Sequence, residues 1–468
     1  MKEKGKSLLV VDAGNMLFRK RSTSQERRRE ALLKVDVLVR AYEEMGYSAV
    51  NIGEKDLTWG LGFLSEVAKR ARFPFISANL VDRKTRKTVF RPFITKEIAG
   101  MKVGVIGLMS RWVNEVLKEK EPYLEVLDPL DAVRPYVAEL KESCDFVIVL
   151  SQLGERVDRE LALKVPEINI ILGGGQSKRI RYSRIRESLM YRLEPRGGYL
   201  GKLDLSLARK GKPLNLTDYE QRESIVKKME TIQKRWMEIK REIEGDIGKS
   251  PSRREVRVKE LAILERRGMK LQLRLVDFDQ RNFYKNEIIP IKLAIPDDPV
   301  IGEMIDRYGI EVAKLYGIEH TLERGPGKPP SDAQILASIS ENSSYQGAIS
   351  CKKCHRRNFE AWSTTGHAKA TQTISETFKK RPPLEDCLIC HTTGYGDIKE
   401  YRFVQEVPLY LRGVQCEACH GVGKEHPGFG AKFRRVTLGV CRNCHTKDQS
   451  PAFHYKSYLL RIGCTIRK

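Results

Sequence analysis

Eight of the ten cysteines in this 468-residue chain fall into four copies of one five-residue pattern, and no other feature constrains its fold as strongly. The copies are Cys351-Lys-Lys-Cys354-His355, Cys387-Leu-Ile-Cys390-His391, Cys416-Glu-Ala-Cys419-His420 and Cys441-Arg-Asn-Cys444-His445. Two thiols three positions apart on one turn can form thioethers with both vinyl groups of a haem, and the adjacent imidazole then meets the iron as an axial ligand. Zinc ribbons also use Cys-x-x-Cys pairs, but they need no histidine directly after the second cysteine. At the Cys and His frequencies of this chain, chance supplies well under about 0.01 complete copies. A disulfide framework would leave the four histidines unexplained. The pattern therefore predicts four covalently bound haem c groups, one on each cysteine pair, with His355, His391, His420 and His445 as iron ligands. Cys144 and Cys464 stand outside it, and their roles stay open.

The chain has eight histidines, so four lie outside the motifs: His320, His367, His426 and His454. Four haems with two imidazoles each would need four such distal ligands. His367, in Thr-Thr-Gly-His-Ala after Trp362, and His426, shortly after the third motif, are close enough to a binding loop to serve. His454, in Pro-Ala-Phe-His-Tyr, and His320, in the segment before the module, are the other two candidate ligands, each equally readable as a surface histidine.

From Gln346 to about Ile466 the sequence resembles the tetrahaem cytochromes of the cytochrome c-554 type. The residues that carry the likeness are the first motif, Trp362 with Gly366-His367-Ala368, and Cys387-Leu-Ile-Cys-His-Thr-Thr-Gly. It continues through Gly413-Val-Gln-Cys-Glu-Ala-Cys-His-Gly with His426, and Cys441-Arg-Asn-Cys-His-Thr with Ser450-Pro-Ala-Phe. The resemblance implies a mostly helical, loop-built module with closely stacked haems, electron transfer, and His367 and His426 as distal ligands. It also implies that one haem can lack a distal protein ligand, which leaves a site open to small molecules.

The first two hundred residues follow another pattern. Apolar runs bounded by turn signals recur at Ser7–Val11, Val103–Gly107, Asp145–Leu150 and Ile168–Gly175, with helical periodicity over Ser24–Met45 and Pro129–Lys141. Short buried strands alternating with helices predict an α/β domain. Val10-Val-Asp-Ala-Gly-Asn-Met-Leu, Asn51-Ile-Gly-Glu-Lys-Asp-Leu, Phe73-Pro-Phe-Ile-Ser-Ala-Asn-Leu, Leu150-Ser-Gln-Leu-Gly and Ile171-Leu-Gly-Gly-Gly-Gln-Ser make it resemble the calcineurin-like metallophosphatase domain of the 5'-nucleotidase family. That family holds two metal ions with an Asp, an Asn-His pair and further histidines. The corresponding positions here read Asn15, Glu54-Lys55, Gln152 and Gly175 to Ser177, and no histidine precedes His320. Two-metal hydrolysis needs ligands that hold both ions, and Lys55 would set a cation among them. The expectation is a scaffold without phosphatase activity.

Between the two parts, residues from Asp218 to Leu275 are rich in Glu, Lys and Arg. Apolar residues recur there at helical spacing (Ile225, Met229, Ile232, Trp236, Ile239, Ile243), with a break at Gly245 to Pro251. This predicts a helical hairpin of coiled-coil character. A strand-like stretch at Asn282–Tyr284 and Ile288–Ile295, a helix over Pro299–Tyr316 and a Gly-Pro linker follow.

The fold class expected is thus multidomain: an α/β metallophosphatase-like sandwich (1–215), a helical hairpin and connecting segment (216–324), a linker (325–345) and a multihaem cytochrome module (346–468). A formal charge of +24 from 85 Lys plus Arg against 61 Asp plus Glu is spread along the chain. It suits redox partner proteins of acidic character better than nucleic acid. Haem c is attached outside the cytoplasmic membrane, which predicts the periplasm or cell surface. No stretch reaches the roughly 18 apolar residues of a membrane span. The sequence shows no signal peptide before the first strand, and a truncated or mis-started N-terminus is the expectation. Two other readings stay open: a multihaem reductase of a small nitrogen or sulfur compound, and self-assembly into an extracellular electron conduit.

Overall fold

A computed structural model describes residues 7–18, 27–174, 181–193, 197–207, 216–245, 251–291, 295–316, 330–377, 385–397, 401, 403–425, 436–446, 449–450 and 452–462. The described residues divide into two compact units. One holds residues 7–18 and 38–295, and the other holds 27–37 and 296 onward.

The first unit is built on a six-stranded sheet with strand order 181–185, 188–192, 170–173, 146–151, 101–108, 93–98. Its central pairs are parallel, and the outer pairs at both edges are antiparallel. Every residue of Phe146–Ser151 is buried, which is why this strand reads as a continuous apolar run and not as an alternating one. Its side chains still alternate in direction. Val147 and Val149 pack with Val133, Val137 and Leu140 of the helix Pro129–Ser143 and with Leu161 of the helix Glu155–Lys164. Phe146, Ile148 and Leu150 join a second cluster with Ala49 and Ile76 from a three-stranded parallel sheet formed by Val11–Asp12, Ala49–Asn51 and Phe75–Ile76. The expected α/β layering is present. The first apolar run is a shorter strand than its composition suggests, because only Val11 and Asp12 find partners, at Ala49 and Val50. Gly107 lets the two sheets approach: a Cβ there would lie 2.5 Å from Asn51 Oδ1 and 2.6 Å from the Ile76 carbonyl.

The charged segment forms the expected hairpin, Tyr219–Gly245 and Pro251–Asp279, between strands of a small third sheet. In that sheet Phe283–Pro290 pairs antiparallel with Tyr199–Ser206 and parallel with Thr217–Asp218. The two strand-like pieces expected around Tyr284 and Ile288 are one continuous strand. Of the six apolar residues that predicted the first hairpin helix, Ile239 is fully buried and the others are partly buried.

In the second unit the helix Pro299–Leu315 starts on Asp298, whose carboxylate accepts the N–H of Val300 and Ile301. Short helices then follow one another through residue 461, around a small core of Tyr345, Ile374, Leu388, Tyr401, Val404, Val407, Tyr410 and Leu411. Of the linker expected at 325–345, residues 325–329 lie outside the described residues, and the rest includes the short helix Asp332–Ala337, capped by Ser331.

Candidate haem sites

Each cysteine motif sits on one helical turn. Ala348–Cys351, Glu385–His391, Cys416–His420 and Leu438–Arg442 are all short helices. In the first and fourth motifs the histidine N–H donates to the carbonyl of the leading cysteine at 2.8 Å, closing the turn on which both thiols project. The thiol of Cys351 meets that of Cys416, which lowers the Cys351 pKa. Cys444 meets Cys390, with Cys419 and Cys441 also close, and this contact together with burial pushes the Cys444 thiol up. The first motif thus adjoins the third, and the fourth adjoins the second. None of the nine described cysteines is in a disulfide.

The loops between the motifs are held by a dense set of hydrogen bonds. Glu417, inside the third motif and buried, accepts the N–H of Gln346 at 2.9 Å, Gly347 at 2.7 Å and Gly423 at 2.5 Å. Gln415 accepts from Ala348 at 2.5 Å, so two residues of the third motif's helix start fix the chain that leads into the first. Gly413 takes φ of 85°, and a Cβ there would lie 2.8 Å from the Ala368 carbonyl, so only glycine fits. Through this approach Val414 N–H donates to His367 O at 2.9 Å, and Trp362 Nε1 donates to Val414 O at 2.9 Å. The Thr371 hydroxyl accepts from Gly413 N–H and donates to His391 O, while Thr393 bridges Gly413 O and Gln415 N–H. The sequence likeness at Trp362, Gly366–Ala368, Thr392–Thr393 and Gly413 therefore marks one scaffold.

The imidazoles fit axial ligation of haem iron. His391 Nδ1 lies 2.7 Å from the Ala370 carbonyl. A carbonyl can only accept, so Nδ1 carries the proton and Nε2 keeps its lone pair for a metal. His445 Nδ1 is 2.8 Å from Ser450 Oγ, and its ring stacks on Phe453 at 4.7 Å and 9°. His367 stands with its ring centre 5.9 Å from that of His445. At this separation His367 and His445 would be the residues to hold one iron between them, which would supply one-electron chemistry. Burial, and for His367 also the neighbouring His445, holds both rings below the usual imidazole pKa, in the neutral form a metal binds. His355 is exposed and His420 is partly buried. His454 is also exposed, caps the helix Tyr455–Arg461 and lies 3.2 Å from Ser457 Oγ through Nδ1. His320, His426 and Cys464 lie outside the described residues, and Cys144 is buried in the α/β core.

The positions that resemble phosphatase metal ligands converge as well, but on one another. Asn15, at φ of 67°, donates from Nδ2 to Gln152 Oε1 at 3.2 Å and accepts Lys55 N–H on Oδ1 at 2.8 Å. Gln152 Nε2 donates to the carbonyls of Ala13 and Gly14 at 2.9 and 3.1 Å. Below them Asp56 accepts the N–H groups of Asn15, Leu17 and Gly53, and burial raises its carboxyl to about 6 against the lowering effect of those bonds. Arg192 binds Asp158 and the Gly174 carbonyl, and Asp158 also takes the Ser151 hydroxyl. Gly175 to Ser177 lie outside the described residues.

Gln415, Glu417 and Thr393 entered the sequence reading only as members of the motifs that carry the likeness, and Thr371 did not enter it. An acidic residue between the two cysteines of a buried motif is the signal that could have found Glu417. The threonines carry no comparable mark.

The model of the family described as Cytochrome c554 and c-prime matches residues 350–421, a span that includes the first three motifs. Cytochrome c-554 of Nitrosomonas europaea is 30% identical over 104 residues, covering 19% of this chain and 44% of that protein. The N-terminal region matches the 2',3'-cyclic-nucleotide 2'-phosphodiesterase/3'-nucleotidase of Salmonella typhimurium, 29% identical over 138 residues. That match covers 26% of this chain and 21% of the enzyme. A calcineurin-like phosphoesterase structure, YfkN from Bacillus subtilis, aligns at 21% identity and a TM-score of 0.38 over 44% of this chain and 72% of that one. The chain spans less than half the length of these two curated relatives. It therefore joins a C-terminal segment similar to the cytochrome c554 family to an N-terminal region similar to 5'-nucleotidases and a cyclic-nucleotide phosphodiesterase.

Proposed function

We propose that the chain is a tetrahaem electron carrier whose α/β unit is a scaffold without phosphatase activity. The four haems would be held by Cys351 and Cys354, Cys387 and Cys390, Cys416 and Cys419, and Cys441 and Cys444. His355, His391, His420 and His445 would ligate the irons. The observation that carries this reading is that Glu417 and Gln415 of the third motif bind the chain that leads into the first, with Cys351 beside Cys416 and Cys444 beside Cys390. Porphyrins attached there would lie side by side, within reach for electron hopping. When bound, haem c supplies one-electron iron chemistry. The protein's part is to fix the imidazoles: the Ala370 carbonyl orients His391, Ser450 and Phe453 orient His445, and His367 faces His445. A hydrogen bond from Nδ1–H to a carbonyl raises the basicity of Nε2, which favours ferric iron and lowers the potential.

The scaffold reading of the α/β unit rests on the amide network. Asn15 donates to Gln152, whose own amide donates to the Ala13 and Gly14 carbonyls, and neither side chain carries a charge to hold a divalent cation. Thioether attachment would put the protein in the periplasm or at the cell surface. No helix among the described residues is long and apolar enough to cross a membrane.

The deciding experiment is a pyridine haemochrome assay with intact mass on protein matured in a competent periplasm. Four haems should add about 2.5 kDa. A mass that matches the bare polypeptide would overturn the assignment.

A further inference from the structure

The second hairpin helix, Pro251–Asp279, packs only one side against its partner. Leu264 and Phe278 are buried on that side, and Arg235–Glu260, Arg257–Glu242 and Arg222–Asp279 clamp the two helices with N–O distances of 3.0, 2.7 and 2.7 Å. Away from this seam Met269, Leu273 and Val276 are 67%, 66% and 53% exposed. Their spacing of four and then three residues lines them up as one apolar row on the helix surface. Beside that row runs a second one, Arg266, Lys270 and Arg274, each four residues from the next. Among the described residues these three cations form no ion pair.

A charged hairpin that only braced itself would pair its cations, as it does along the inner seam, and would place polar residues outside. This outer face does neither. We propose that it docks an amphipathic helix of a partner protein, whose apolar seam covers Met269, Leu273 and Val276 and whose acidic flank meets Arg266, Lys270 and Arg274. The heptad-like spacing supplies the seam, and the uncompensated row supplies the charge complementarity. An anionic lipid surface fits less well. Cations flank the apolar row on one side only, the other flank holds Gln272 and Glu265, and the row has no aromatic anchor. Glu265 itself accepts Trp236 Nε1 at 3.1 Å. A second copy of this helix crossing antiparallel would set Arg266 against Arg274 and Lys270 against Lys270, which repel.

The test uses the haem-loaded full chain and a synthetic four-heptad helix with leucine at the seam positions and glutamate on the flanks. A twin peptide with lysine on the flanks is the control. The glutamate peptide should bind, and raising the salt should weaken it about tenfold, as expected for an electrostatic contact. The triple variant R266E/K270E/R274E should lose at least about tenfold in affinity, and M269S/L273S should do likewise. All these side chains are exposed or unpaired, so thermal unfolding and haem content should match the parent. The proposal is overturned if the glutamate peptide fails to bind, if both peptides bind alike, or if neither variant changes binding. Sedimentation of the parent with phosphatidylglycerol vesicles, lost in the triple variant, would assign the face to lipid. Dimerisation of the parent lost in M269S/L273S would assign it to a second copy.

Discussion

The Glu417 carboxylate accepts the backbone N–H of Gly347 at 2.7 Å, so a residue inside the third cysteine motif holds the turn that launches the first. With Gln346 and Gly423 as further donors, the group is buried and fully used. Hydrogen bonds to a charged acceptor contribute about 1.5 to 3 kcal/mol each. In Glu417→Gln one oxygen becomes an NH2 group that faces an N–H donor. This variant should lose about 2 to 4 kcal/mol in urea unfolding of the haem-loaded protein while keeping its haems. Unfolding that matches the parent would mean that the clamp does not hold the two loops together.

Replacing Cys387 or Cys390 with serine should remove one haem and leave three. Each motif would attach its own porphyrin, and a motif left with one thiol could form only one of the two thioethers. Haem content per polypeptide by haemochrome absorbance and intact mass reads this directly. A count unchanged by the substitution would break the link between motif and haem.

The α/β unit should hydrolyse no phosphate ester with manganese, zinc or calcium present. Asn15, Glu54, Lys55 and Gln152 are the described positions that correspond to the metal ligands the resemblance implies, and here the amides of Asn15 and Gln152 bond to each other. The assay is release of phosphate from nucleotides and from a chromogenic ester. Turnover that disappears on mutating Asn15 or Gln152 would show that a metal is held there after all.

How far the sequence could be read depends on how local each signal is. The motifs are local, since one helical turn contains both thiols and the histidine, and their chemistry could be named at once. The strand Phe146–Ser151 was legible from composition because both of its faces are buried. The strand at Val11–Asp12 was overextended because apolar character does not tell where a partner strand ends. Pairing of the first motif with the third, and of the second with the fourth, was beyond reach, since it depends on contacts between residues some fifty to seventy positions apart. His367 was picked out as a candidate ligand from its setting. Its approach to His445, nearly eighty residues away, was not.

That approach carries the last prediction. With its ring centre 5.9 Å from that of His445, His367 would share with it in holding the iron of the fourth motif. His367 is held there through its own backbone, which accepts Val414 N–H at 2.9 Å, and the Trp362 indole bonds the same residue. His367→Ala should therefore keep the scaffold and the haem count while leaving the iron of the fourth motif five-coordinate or bound to water. Loss of a strong donor that favours ferric iron should raise that haem's reduction potential. A new high-spin ferric signal in electron paramagnetic resonance, with four haems retained, is the expected result. A spectrum that stays wholly low-spin would make His367 a packing residue and turn the search for the distal ligand to His320, His426 and His454.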